Sequence, residues 1–251
     1  MVYNCYMKTN MLSAIRRELD QQTDAKTKES FQSFFKEKVT AYGVKTAIVT
    51  KIARKYFHEV KFLGKREIFS LCEELLKSDY TEEAFIASEW AYWLRDEYEP
   101  SDFIVFERWL NKYVNNWAKC DSLCNHAIGS FVEKYPQYIG NLKNWTRSEN
   151  RWLKRASAVT LIIPAKQGEF LKDILEIADS LLQDKDDLVQ KGYGWMLKEA
   201  SRMHQKEVYD YVLRNSKLMP RTALRYAIEK MPEDLRHLAM GKTESYASGT
   251  D

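Results

Sequence analysis

Apolar positions return every three or four residues along most of this chain, and no stretch alternates with a period of two. Met11, Leu12, Ile15 and Leu19 form one such stripe over residues 10–20, and Phe31, Phe34 and Phe35 form another over 26–38. Gly43 closes that region as a helix C-cap or turn. Ile48, Ile52, Ala53 and Tyr56 resume the pattern over 46–57, with Lys51, Arg54 and Lys55 on the other side. Further helices are predicted over 65–77, 81–96, 103–114, about 117–135, 137–146, 148–163, 170–183, 187–203, 206–215 and 222–231. Start signals support several of them: acids in the first turn at Thr81-Glu82-Glu83, and a cap at Ser148-Glu149-Asn150.

Helices recurring in pairs at intervals of roughly 35 to 45 residues have the rhythm of HEAT-like repeats. The expected architecture is all-α, with the repeats stacked as a curved solenoid whose concave face suits a long ligand. One domain is expected over 1–242, followed by a small, polar and disordered tail over 243–251. Only nine glycines and five prolines occur in 251 residues, which argues against a many-stranded sandwich or barrel.

The net charge of +3 decides little, but its distribution is informative. Residues 79–107 hold nine acids and one base, Arg95. Lys143, Arg147, Arg151, Lys154 and Arg155 then face only Glu149, and residues 214–225 carry four bases and no acid. A third basic cluster is Lys45, Lys51, Arg54 and Lys55. For any single run the plain reading is a solvated helix face; two basic runs around a tryptophan-rich middle fit a phosphate-binding groove better. Cys5, Cys72, Cys120 and Cys124 show no metal-ligand spacing, and Cys120 and Cys124 read as small buried side chains on one helix face. No metal or cofactor is expected. The longest apolar run, near 158–165, is too short to span a bilayer, so a cytoplasmic monomer without membrane contact is the expectation.

Trp117 and Asp121 stand four residues apart, on one face of the central helix. Either the indole packs inward while the carboxylate reaches solvent, or both line a groove. Sequence around this pair resembles the DNA alkylation repair family, the AlkD-like DNA glycosylases built from HEAT-like repeats. Trp117 and Asp121 match that family's Trp-x-x-x-Asp signature. Ser148, Asn150, Trp152, Leu153 and Arg155 match its Ser-x-Asn-x-Trp-Leu-x-Arg run. Gln190, Lys191, Gly194, Trp195 and Leu197 match a later run, and Tyr42-Gly43-Val44-Lys45 an early one. Some members carry an aromatic-Trp-Asp triplet where this chain has Asn116-Trp117-Ala118, and Phe34 or Phe35 stands where a tyrosine is expected.

The resemblance implies a monofunctional glycosylase that removes cationic purines alkylated at N3 or N7 from double-stranded DNA without flipping the base. It assigns Asp121 to the stabilisation of an oxocarbenium-like sugar, and Trp117 and Trp195 to packing against the deoxyribose. Arg155 would hold a phosphate beside the lesion, with Lys154, Lys45, Arg151 and Lys191 as further DNA contacts. The alternative is a non-catalytic HEAT-like protein that recognises DNA shape or junctions. A protein-interaction solenoid with no DNA role is a third possibility.

Overall fold

The computed structural model describes residues 2–241, with side chains from residue 10 onward. The expected tail over 243–251 lies outside the described residues. Every regular element among the described residues is helical, and the chain divides between Tyr135 and Pro136 into two compact units.

The first unit holds α1 (Val2–Gln21), α2 (Ala25–Ser33), α3 (Thr46–Val60), α4 (Lys65–Lys77), α5 (Thr81–Trp93), α6 (Asp102–Tyr113), α7 (Trp117–Ser122) and α8 (Gly129–Lys134). A π-helical segment, Leu123–Ile128, joins the last two. Helix α5 packs on α3, α4 and α7. Its core includes a continuous aromatic cluster: Phe106 lies 5.3 Å from Tyr98 and 5.8 Å from both Trp109 and Phe131. Buried polar atoms on these rings are satisfied by backbone. Trp90 Nε1 donates to Ala53 O at 2.8 Å and the Tyr98 hydroxyl to Ala91 O at 2.7 Å.

The second unit holds α9 (Ile139–Trp145), α10 (Arg151–Val159), α11 (Ile162–Gln167), α12 (Leu171–Leu181), α13 (Asp187–Ala200), α14 (Gln205–Asn215), α15 (Arg221–Ala227) and α16 (Glu233–Ala239). Helix α13 is its hub, packed on α10, α11, α12 and α15. Val189, Tyr193, Met196, Leu197 and Ala200 have no accessible surface there.

Most predicted helices appear within a few residues of their predicted ends; three differ for physical reasons. The helix over 26–38 ends at Ser33, because Gln32 folds the following chain back: its Nε2 donates to Glu37 O at 3.0 Å and its Oε1 accepts from Val39 N at 3.1 Å. The helix over 148–163 breaks at Thr160 and Leu161 and restarts as α11. Pro164 then sits in the first turn of α11, where its missing N–H is harmless. Helix α16 was not anticipated.

Gly194 shows how closely the hub is packed. A Cβ there would stand 2.7 Å from Tyr226 Cβ and 2.8 Å from Ala223 O, so α15 rests directly on the glycine. Of the two sources of crowding that a helical glycine at this position admits, a neighbouring helix is the one present. Gly194→Ala is expected to lower stability by about 1–3 kcal/mol, read as an earlier urea midpoint with an unchanged slope.

Candidate functional site

The first turn of α7 is fixed from both sides. Asn116, 4 % exposed, caps the helix: its side chain accepts from Lys119 N at 3.0 Å. Lys119 lies one turn on and is 2 % exposed. Its three ammonium hydrogens find three acceptors: Asp79 Oδ1 at 2.6 Å, Asp79 O at 2.8 Å and Asn115 Oδ1 at 3.0 Å. Asp79 occupies a left-handed conformation, φ 67°, in the turn between α4 and α5. A buried ammonium is tolerated only when it is fully paired, so this cluster ties the start of α7 to the α4–α5 turn.

Burial raises the Asp79 carboxyl, but the Lys119 ammonium beside it more than offsets this and holds it below the ordinary carboxylate range. A depressed folded-state value means stability that is present above the ordinary carboxylate value and lost as pH falls through the folded one. The advantage of wild type over Asp79→Asn is therefore expected to shrink between about pH 6 and about pH 2, followed by urea unfolding at each pH. Asparagine tolerates the left-handed conformation, so the comparison isolates the charge.

With α7 fixed, Trp117 and Asp121 both line one cleft of about 510 Å³ in the first unit. Of the two placements open to the pair, sharing a groove is the one observed. Phe31, Phe34, Phe85, Tyr92 and Trp117 make its aromatic walls. Phe35 stacks on Trp117 with ring centres 5.0 Å apart and planes 18° apart. The two phenylalanines at the expected tyrosine position thus divide the work: Phe34 lines the cleft and Phe35 backs the indole.

Polar groups in the cleft are Thr46, Thr50, Ser88, Glu89, Asp121, Ser122, Asn125 and His126. Glu89 is a second carboxylate that spacing alone did not pick out. Its Oε1 accepts from Thr50 Oγ1 at 2.6 Å, while its buried Oε2 has no hydrogen-bond partner among the described residues. The buried Oδ1 of Asn125 likewise has none. Asn125 and His126 belong to the π-helical segment, and no sequence signal marks that extra residue per turn. No lysine or arginine lines the cleft. Two carboxylates between aromatic faces, with no cation beside them, favour a positively charged centre and repel a phosphate.

The early Tyr42-Gly43-Val44-Lys45 run lies before α3. Lys45 is exposed at the N-cap of that helix. Gly43 has φ 92°, and a Cβ there would stand 2.5 Å from Lys28 Cβ. The run sets the entry to α3, which brings Thr46, Val49 and Thr50 to the cleft.

The remaining predicted site residues belong to the second unit. Trp195 is half-buried on α13. Arg155 is 5 % exposed, and its Nη1 donates to Leu188 O at 2.5 Å. This contact ties α10 to the start of α13. Arg151 pairs with Asp186 at 2.7 Å, Lys154 with Asp184 at 2.6 Å, and Lys191 with Asp187 at 2.8 Å. Lys143 is held by Asp173 and Glu176. The basic run of 143–155 is thus largely neutralised inside its own unit. Counting charges along the sequence missed this, because the acids lie about thirty residues further on.

The sequence profile of a family described as DNA alkylation repair enzyme matches residues 15–231 of the chain. No curated relative matches it. Among solved structures, one described as a predicted DNA alkylation repair enzyme from Enterococcus faecalis is similar, with a TM-score of 0.75 and 14% identity. The match covers 84% of this chain and 98% of that one, and at this identity it bears on the fold alone.

Proposed function

Because the chain belongs to the DNA alkylation repair enzyme family and so serves DNA repair, we propose that its first unit hydrolyses the N-glycosidic bond of purines made cationic by alkylation. The observation that carries this reading is the cleft itself: Asp121 and Glu89 between aromatic walls, with no basic side chain among them.

A purine alkylated at N3 or N7 already carries positive charge. When its bond to C1′ breaks, the electron pair goes to the base and neutralises it, so no acid is needed to protonate the leaving group. Positive charge moves to the sugar, water adds to C1′, and one proton is released to solvent. The protein's task is to stabilise the charge on the sugar and to hold the water. A fixed carboxylate in a partly dry cleft does the first by its field and the second as hydrogen-bond acceptor. We assign that role to Asp121. The Trp117 face, held flat by Phe35, favours the same cationic centre by about 0.5–2 kcal/mol where water is excluded. Thr50 orients Glu89, which adds to the negative field. These groups act on the sugar, so nothing in the step requires the base to leave the stack. With no lysine in the cleft, the amine attack of a bifunctional lyase is not part of the reading.

The test is to incubate the chain with duplex DNA carrying N7-methylguanine or N3-methyladenine and to measure free base. Release above the uncatalysed rate supports the reading. Binding without release would replace it with a recognition module.

A further inference from the structure

The two basic runs of the second unit are in opposite electrostatic states. Arg151, Lys154 and Lys191 each hold an acid at 2.6–2.8 Å. Arg214, Lys217, Arg221 and Arg225 are all exposed and make no ion pair among the described residues. The acids that flank this second run are already engaged: Asp210 with Lys206 at 2.7 Å, Glu229 with Lys198 at 3.0 Å, and Asp187 with Lys191. The four cations occupy the end of α14, the connection after it, and one face of α15, where Arg221 and Arg225 are one turn apart.

Neutralisation decides what such groups do toward a polyanion. A cation already paired inside the protein must give up its carboxylate to take a phosphate, and it adds little to the attraction of a distant one. An exposed, unpaired guanidinium gives up only water and displaces a condensed counterion from the nucleic acid. Arginine also offers the bidentate geometry that a phosphate accepts.

We infer that residues 214–225, not the run at 151–155, are the phosphate-backbone contact of the second unit. The ligand is double-stranded DNA, bound without regard to sequence. This deepens the proposed function by naming where the duplex is held, and it rests on that reading for the choice of DNA over another polyanion. The side chains contact only phosphates, so they add affinity and not lesion preference.

Fluorescence anisotropy of the full chain with an undamaged duplex, over a salt series, provides the test. Arg221→Gln/Arg225→Gln removes two unpaired charges. It is expected to weaken binding about tenfold at low salt and to make the slope of log K against log salt shallower by about 2. Arg151→Gln/Asp186→Asn removes an ion pair at constant net charge and keeps a capping side chain on α13. It is expected to change affinity less than about twofold and to leave the slope unchanged. The surface is overturned if the first variant matches wild type, or if the loss appears in the second variant instead.

Phosphatidylserine vesicles provide a second arm. Vesicle binding lost in the first variant, with duplex binding unaffected, would assign the surface to lipid and overturn the proposal. Because the duplex carries no lesion, the outcomes separate. A slope change without base release on damaged DNA sinks the excision reading alone, and base release with an unchanged slope sinks the surface alone.

Discussion

Asp121→Asn is expected to lower the single-turnover rate of base release by about 10²–10³-fold while leaving the affinity for undamaged duplex and the urea midpoint within error of wild type. Asparagine keeps the shape of the side chain and one acceptor oxygen but removes the charge. The loss therefore reports the field at the developing sugar cation and not the packing of α7. Glu89 remains in the same cleft, so a residual rate above that of water is expected, and it should fall further in Asp121→Asn/Glu89→Gln. A variant that releases base as fast as wild type would remove Asp121 from the chemistry. A variant that fails equally in binding and stability would make it a structural residue.

The second large effect concerns Glu82, which the acidic run of 79–107 made look like part of a solvated face. It is 4 % exposed, and its carboxylate accepts from three backbone amides: Gly43 N at 2.8 Å, Tyr42 N at 3.0 Å and Val44 N at 3.1 Å. It also lies in the first turn of α5, where the exposed amide ends favour a negative group. Glu82→Ala would leave three amides facing a cavity with no acceptor. We expect a loss of about 3–5 kcal/mol, measured by urea unfolding of the first unit. Glu82→Gln keeps one acceptor oxygen and should lose less. Both variants should also impair the cleft, because the run they free sets the start of α3. If Glu82→Ala unfolds at the wild-type urea concentration, the anchoring role is wrong.

The helices were legible in the sequence because their causes are local. Asn116, Asn150 and Asp186 each cap the helix that follows through a neighbouring amide. The spacing of Trp117 and Asp121 is likewise a local property of a helix, and it placed both on one face. Charge partners are not local. Glu83 is fully buried against Arg16 and the Tyr42 hydroxyl, 67 and 41 residues away in sequence. Arg151 and Lys154 are matched by acids beyond the next helix. Runs of like charge therefore looked like surfaces when several of them were internal joints. Glu89 escaped notice for the same reason: its partner Thr50 and its fellow lining residues come from other helices. Lys119 was read only as a spacer between the indole and the carboxylate.

The π-helical stretch at Leu123–Ile128 leaves a mark on how this gene segment can change. It holds one residue more than an α-helix would need to cover the same rise. Deleting a single codon there would let the strand of hydrogen bonds close as ordinary α-helix, and would swing the rest of that rod by about 100°. Phe131, which packs on Tyr98, Phe103 and Phe106, would then face another direction. Length in this half-dozen residues is consequently less negotiable than identity: exchange of one side chain is a local event, whereas loss of one residue would re-aim everything downstream as far as Lys134.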